Sequence, residues 1–231
     1  MKVTIDHQIG QLVPKCRLGI SVIRDVHIQK AGPEFIQEFQ RLQQEIAGHY
    51  RLDKLAGDLR IAAVRNMYKK LAFDPGRYRP AAEALVRRVL QNKGVYEINS
   101  AVDVNNYCSM KYLLPFGLYD LDQVKGDVLY GVAGPGQYVN IAGKSVSTAG
   151  KPCLSDADGV FGNPTADSLR TAVTHHSRNL LSVIYADEEI GDDELNQMIK
   201  HTGDMLARYN AGTVGEDRIV YGNSVLFKGE I

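Results

Sequence analysis

Neither sign of charge dominates this sequence: 27 Lys and Arg balance 27 Asp and Glu, for a formal net charge of zero. No global field therefore draws the chain onto nucleic acid. No apolar run reaches the roughly 18 residues needed to span a bilayer, so no membrane segment is expected. The first residues, MKVTIDHQIG, hold no apolar signal region, and a cytoplasmic location is the expectation. Cysteine is scarce. Cys16, Cys108 and Cys153 are odd in number and widely spaced, which argues against a disulfide scaffold and a cysteine-based zinc site. They are expected as reduced, mostly buried thiols.

The common catalytic signatures are missing as well. There is no G-x-S-x-G elbow and no Walker A loop. Gly134-Pro135-Gly136 lacks the third glycine and the following helix of a dinucleotide site. Asp156-Ala157-Asp158-Gly159 begins like a calcium loop, but Phe161 stands at the position where the turn needs glycine. His175 and His176 are adjacent, so their side chains diverge by about 100° on a helix or about 180° on a strand and suit one metal ion poorly. No metal and no cofactor are expected. No internal repeat or low-complexity linker divides the chain, and one compact domain over residues 1–231 is expected.

What is present reads as alternating strands and helices. Val3–Ile5 is a short strand, and 18–28 alternates as a longer one. Pro33 opens a helix carried by Phe35, Phe39, Leu42 and Ile46 and ended by Gly48. A second helix is expected over 55–71, with Leu59, Ala62, Ala63 and Met67 facing inward. The third, from Pro80 to about Asn92, has a clear apolar stripe in Ala82, Leu85, Val86, Val89 and Leu90. A short helical pattern follows Asn99. Strands are expected over 127–133, 137–141, 179–186 and 218–227, and a helix over 192–209. Residues 142–170, rich in Gly, Ser, Asp and Pro, read as a long loop. The fold class is α/β, in detail α+β, with mixed sheets and flanking helices.

Charge is uneven along the chain. Lys54 to Lys93 holds ten Lys/Arg against three Asp/Glu, a surplus of seven (10 − 3). Arg65, Arg79, Arg87 and Arg88 in this segment are candidates for contacts to RNA phosphates; the plainer reading is a solvated helix face. Asp187 to Glu194 holds six acids and no base.

One stretch carries more information than the rest. Val102-Asp103-Val104-Asn105-Asn106-Tyr107, then Pro115, then Tyr119-Asp120-Leu121-Asp122, resembles the B3/B4 domain of the phenylalanyl-tRNA synthetase β subunit, with its V-D-V-T-N-Y and Q-P-M-H-A-F-D segments. YRPAAEALVRRVLQNKG over 78–94, Gly126-Asp127, Asp158-Gly159-Val160 and the run from Asp167 to Thr174 fit the same pattern, as in stand-alone B3/B4 proteins. The resemblance covers about residues 60–187. Residues 1–60 are only loosely similar to stand-alone relatives, and 190–231 look like an addition. It implies a B3/B4-domain fold and the family's editing chemistry, hydrolysis of a wrongly attached amino acid from tRNA. The chain has no ATP-binding synthetic core, so charging of tRNA is not expected.

The family asparagine falls on Asn106 and its threonine on Asn105, where a carboxamide offers a donor and an acceptor to an aminoacyl group. The family histidine falls on Gly117, and the glutamate that reads the tyrosine hydroxyl falls on Ala172, so tyrosine selectivity is not implied. Asp167, Ser168, Arg170, Thr171 and Thr174 are further substrate-binding candidates, Arg170 as a bidentate anion partner. The plainer reading of these residues is a hydrogen-bond network anchoring a loop, and of Asn105 and Asn106 capping or turn bonding. The implied partners are tRNA or aminoacyl-tRNA. The alternative is a non-catalytic module that binds a free amino acid or small carboxylate.

Overall fold

The computed structural model describes residues 1–222. Its elements follow in chain order: β1 (Val3–Ile5), α1 (His7–Leu12), β2 (Arg17–Arg24), α2 (Pro33–His49), α3 (Leu59–Lys70), α4 (Ala81–Leu90), α5 (Ser100–Tyr112), β3 (Phe116–Asp120), β4 (Val128–Val132), β5 (Gln137–Val139), β6 (Ser145–Ser147), β7 (Pro152–Asp156), β8 (Gly159–Asn163), β9 (Ala166–Asp167), β10 (Leu180–Ala186), α6 (Asp192–Tyr209) and β11 (Thr213–Tyr221). The architecture is mixed α/β. One sheet runs β11-β2-β10-β3, a second runs β1-β4-β7-β8-β9, and β5 and β6 form a separate hairpin. Among the strands of the described residues, only β1 and β4 pair in parallel. Strands from both ends of the chain are woven into these sheets, with β2 lying between β11 and β10.

The helices form where their apolar stripes can be buried. α2 turns Phe35, Phe39, Leu42 and Ile46 inward, and its two phenylalanines meet Tyr107 of α5 edge-on. Burying each such side chain is worth about 1.5–3 kcal/mol. α6 begins with Asp192, Asp193 and Glu194, whose charges suit the positive end of a helix. Arg17 of β2 pins that end by an ion pair to Asp192.

α5 is buried on almost every side, between α2, α4, α6 and β3. Its start is fixed by Asn99, whose side-chain oxygen accepts from the Ala101 and Val102 amides at 3.2 and 2.9 Å. The same side chain donates to the Val173 carbonyl at 3.3 Å, tying the segment after β9 to the helix. Its end is marked by Leu113 in the left-handed region, at φ 56°.

Several expectations change. Residues 142–170 are not a structureless loop: they hold β6 to β9, and β7 and β8 are internal strands of a sheet. The strand expected over 18–28 ends at Arg24, because Asp25 takes φ 55° and turns the chain. The helix expected over 55–71 divides into a short 3-10 turn and α3. Asp58 caps α3 and sets its phase, so Ile61, Val64, Met67 and Tyr68 face inward and Leu59 is 89% exposed. α1 was not expected. The closing strand is present to Tyr221 and Gly222 forms an isolated bridge to Ile5; residues 223–227 of the expected strand lie outside the described residues. Cys16, Cys108 and Cys153 are unpaired and buried, and burial pushes each thiol up to about 12. Among the described residues no helix is long and apolar enough to cross a membrane.

Candidate functional site

α5, the edge strand β3 and the turn from β8 into β9 enclose a cavity of about 420 Å³. β3 alternates Phe116 and Leu118 toward it, α5 contributes Val102, Asn105 and Asn106, and α4 adds Ala81 and Leu85. Ala172 and Val173 complete an apolar wall, and the β5–β6 hairpin places Asn140, Ile141 and Ala142 at its margin. The polar groups of the lining include Asn105, Asn106, Asn163, Thr165 and Asp167.

Three of these polar groups are under-satisfied: the buried Thr165 hydroxyl also has no hydrogen-bond partner among the described residues, and Asn105 and Asp167 differ from it and from each other. Asn105 is only 6% exposed, and its carboxamide oxygen has no hydrogen-bond partner among the described residues. A buried acceptor left unpaired costs about 1–3 kcal/mol, a debt that a bound donor would remove. Asp167 is half-buried at the end of β9. Burial pushes its carboxyl up to about 7, against the lowering effect of the Tyr119 hydroxyl and the Leu118 amide. Tyr119 donates to Asp167 Oδ1 at 2.7 Å and shares a second hydrogen bond, 2.9 Å, with the Tyr185 hydroxyl.

The other expected substrate-binding residues are not among those lining the cavity. Arg170 makes a two-pronged contact to Asp156, at 3.1 and 2.8 Å, and lies 3.8 Å from Asp158. Burial acts to raise the Asp156 carboxyl, but the bonds from Arg170 and from the Lys125 and Asp158 amides outweigh it and hold the group below its usual range. Ser168 caps the short turn after β9 by accepting from the Arg170 amide. Thr171 bonds the Phe161 carbonyl, and Thr174 and Ser177 cap one another's turn. These four residues anchor the segment that delivers Asp167, Ala172 and Val173 to the cavity.

The basic segment is organised around a buried acid. Glu83 of α4 is 0% exposed. Arg65 and Arg87 each bond it at 2.9 Å, and Arg79 lies 3.5 Å away. The helix face is thus a clasp of three guanidinium groups on one carboxylate rather than a row of free cations. Arg88 stands apart: its guanidinium stacks 3.9 Å over Tyr96, which is 66% exposed and lines the cavity mouth.

A larger groove, about 690 Å³, runs between α3 and the facing ends of α5 and α6. Arg60 and Glu194 bridge it at 2.7 Å. The features that draw attention to the smaller cavity are the unpaired Asn105 oxygen and the raised Asp167, and both belong to that cavity.

Sequence reasoning missed Phe116, Leu118, Asn163, Thr165 and Tyr119. The alternation Phe116-Gly117-Leu118-Tyr119 was a usable strand signal. Asn163 sits in an Asn-Pro turn, where its side chain accepts from Thr165 and Ala166 amides at 2.8 and 3.0 Å. Gly117 has a steric explanation: a Cβ there would stand 2.2 Å from the Tyr119 hydroxyl oxygen.

The family model described as the B3/4 domain matches residues 63–202. The phenylalanine–tRNA ligase beta subunit of Rickettsia conorii is 30% identical over 111 residues, which are 48% of this chain and 11% of that protein. The crystal structure of an N-terminal fragment of the phenylalanyl-tRNA synthetase beta-subunit from Pyrococcus horikoshii gives a TM-score of 0.46 at 10% identity, over 92% of this chain and 50% of that one. The matches thus span about a tenth of the first relative and half of the second.

Proposed function

The chain belongs to the B3/4 domain family, and from that premise we propose that its cavity binds the aminoacyl end of an aminoacyl-tRNA and hydrolyses the ester in trans. The observation that carries this reading is the convergence of Asn105, Asn106 and Asp167 on one cavity that is otherwise largely apolar. An aminoacyl ester has matching parts. Its side chain suits Val102, Phe116, Leu118 and Val173. Its ammonium suits a carboxylate and carboxamide oxygens, and its carbonyl suits a carboxamide N–H.

In this reading Asp167 is the general base. A carboxyl near 7 is divided between its two forms at neutral pH, which favours both taking and returning a proton. A water held against the ester carbonyl loses its proton to Asp167 as its oxygen bonds the carbonyl carbon. The ester C–O bond then breaks, and Asp167 returns the proton to the departing ribose oxygen. The products are a free amino acid and a tRNA with its hydroxyl restored.

Charge favours the ester over the free amino acid as ligand. Among the described residues the cavity lining holds no Lys, Arg or His. A free α-carboxylate would lie near Asp167 without a counter-charge, whereas an ester carries only its ammonium. Arg170, the expected carboxylate partner, is committed to Asp156. For the tRNA itself we place the contact on α4, where Arg88 and Tyr96 stand at the cavity mouth and the Glu83 clasp retains a surplus of guanidinium charge. That contact should weaken with added salt.

The test is a panel of aminoacyl-tRNAs incubated with and without the protein. Faster loss of at least one amino acid than in buffer supports the reading. No acceleration across the panel overturns it.

A further inference from the structure

We propose that Tyr119 is the positioning residue of this cavity: its hydroxyl, lodged in a slot between two glycines and held by Tyr185, aims the Asp167 carboxyl. The proposal rests on the reading of Asp167 given above.

The slot is the first observation. A Cβ added at Gly117 would stand 2.2 Å from the Tyr119 hydroxyl oxygen, and one added at Gly162 would stand 2.3 Å from it. Real atoms do not approach so closely, so neither position has room for a side chain while Tyr119 is in place. Neither glycine has a positive φ, so the backbone does not require glycine at either site. Room for the hydroxyl accounts for both. β3 and β8 each give up a side chain at the point where this oxygen lies.

The second observation is the hydrogen-bond chain. Tyr119 is wholly buried, with its ring edge-on to Phe161 at 4.9 Å, so it has little freedom to turn. Its hydroxyl donates to Asp167 Oδ1 at 2.7 Å and lies 2.9 Å from the Tyr185 hydroxyl. Burial holds both phenols well above their ordinary range, so both stay protonated. While Asp167 is ionised, Tyr119 donates to it and accepts from Tyr185. When Asp167 takes a proton from the attacking water, the proton sits on the carboxyl oxygen that Tyr119 does not hold, and Tyr119 goes on donating to Oδ1. The bond between Asp167 and Tyr119 survives both states, and the carboxyl keeps its aim through the step. Returning the proton to the leaving oxygen restores the ionised carboxyl without disturbing that bond.

The experiment reads the Asp167 carboxyl by carbon NMR across pH in the full chain, with no substrate present. Tyr119→Phe removes a donor that favours the ionised form, so the Asp167 midpoint should rise by about one pH unit, tenfold less carboxylate below the midpoint. Gly162→Ala keeps both phenols but displaces the hydroxyl, and should raise the midpoint similarly. Tyr185→Phe removes only the outer link and should shift it less, which keeps the test available where the closer substitutions fail to fold. An unchanged midpoint in folded Tyr119→Phe or Gly162→Ala protein overturns the proposal. Because no substrate enters, a chain that hydrolyses no ester leaves this titration readable and counts against the reading of function alone. In an active chain the rising limb of the pH–rate profile should move up with the same variants.

Discussion

The Arg170–Asp156 clasp and the Asp167 cavity both present a carboxylate beside a turn, yet they behave in opposite ways. Asp156 is met by two guanidinium nitrogens and two backbone amides, and its carboxyl is held low. Asp167 receives one hydroxyl and one amide against the cost of burial, and its carboxyl is raised to about 7. The first group is satisfied within the fold. The second, beside an unpaired Asn105 oxygen, is not. The same contrast separates the Glu83 cluster from the cavity. Charged residues that look ready for a ligand in sequence are paired with one another, whereas Asn105 and Asp167 stay under-satisfied at the cavity.

The sharpest way to break this comparison is Asp167→Asn. Loss of a general base should reduce ester hydrolysis by roughly 10²–10⁴-fold. The same change should stabilise the fold at neutral pH and above. An acid whose folded pKa is raised keeps its proton longer in the native state, so its stability contribution falls as pH rises from about 4, its unfolded value, through about 7. Thermal melts should show the variant gaining on the parent between pH 5 and pH 8 (roughly the span of that titration). Equal differences at both pH values would remove Asp167 from its unsatisfied state.

Glu83→Ala comes next. Three guanidinium groups would lose their buried partner, a loss of about 3–5 kcal/mol in chemical denaturation. A neutral effect would mean that the arginines were free cations after all.

These two residues also show what the sequence could disclose. α2, α4 and α6 were legible because each has one apolar stripe at helical spacing. Asn105 and Asn106 were legible through the resemblance, which aligned them with the family motif, and Asp167 only as one of several polar residues in the run from 167 to 174. Glu83 was not: one of three acids among ten bases reads as surface, and only folding shows that it is enclosed. The strands β6 to β9 were hidden because they are short and rich in Gly, Ser and Asp, with no alternation to betray pairing. Leu59 misled because its apolar character says nothing of helix phase, which Asp58 sets by capping. Tyr119 was hidden because its role depends on two glycines 45 residues apart (162 − 117).

Arg170→Ala should cost about 1.5–3 kcal/mol at neutral pH through the loss of charge-assisted bonds to Asp156. Because the Asp156 carboxyl is held low, that stabilisation is present above its unfolded pKa of about 4 and fades as pH falls below it. The penalty of Arg170→Ala should shrink on acidification, the reverse of the Asp167 trend. The smallest stability effect belongs to Asn105→Ala. Removing an unpaired oxygen offsets the lost packing, so the melt should move by about 0.5 kcal/mol or less in either direction, while ester turnover falls. A large loss of stability would show that Asn105 is a structural residue.

The most direct measurement is the pH dependence of kcat/KM for an aminoacyl-tRNA ester, read for the parent and for Asp167→Asn. The account predicts a parent rate that rises through a midpoint near pH 7, and a variant profile that is low and without that limb. A variant that keeps the parent's rate and its rising limb would contradict it.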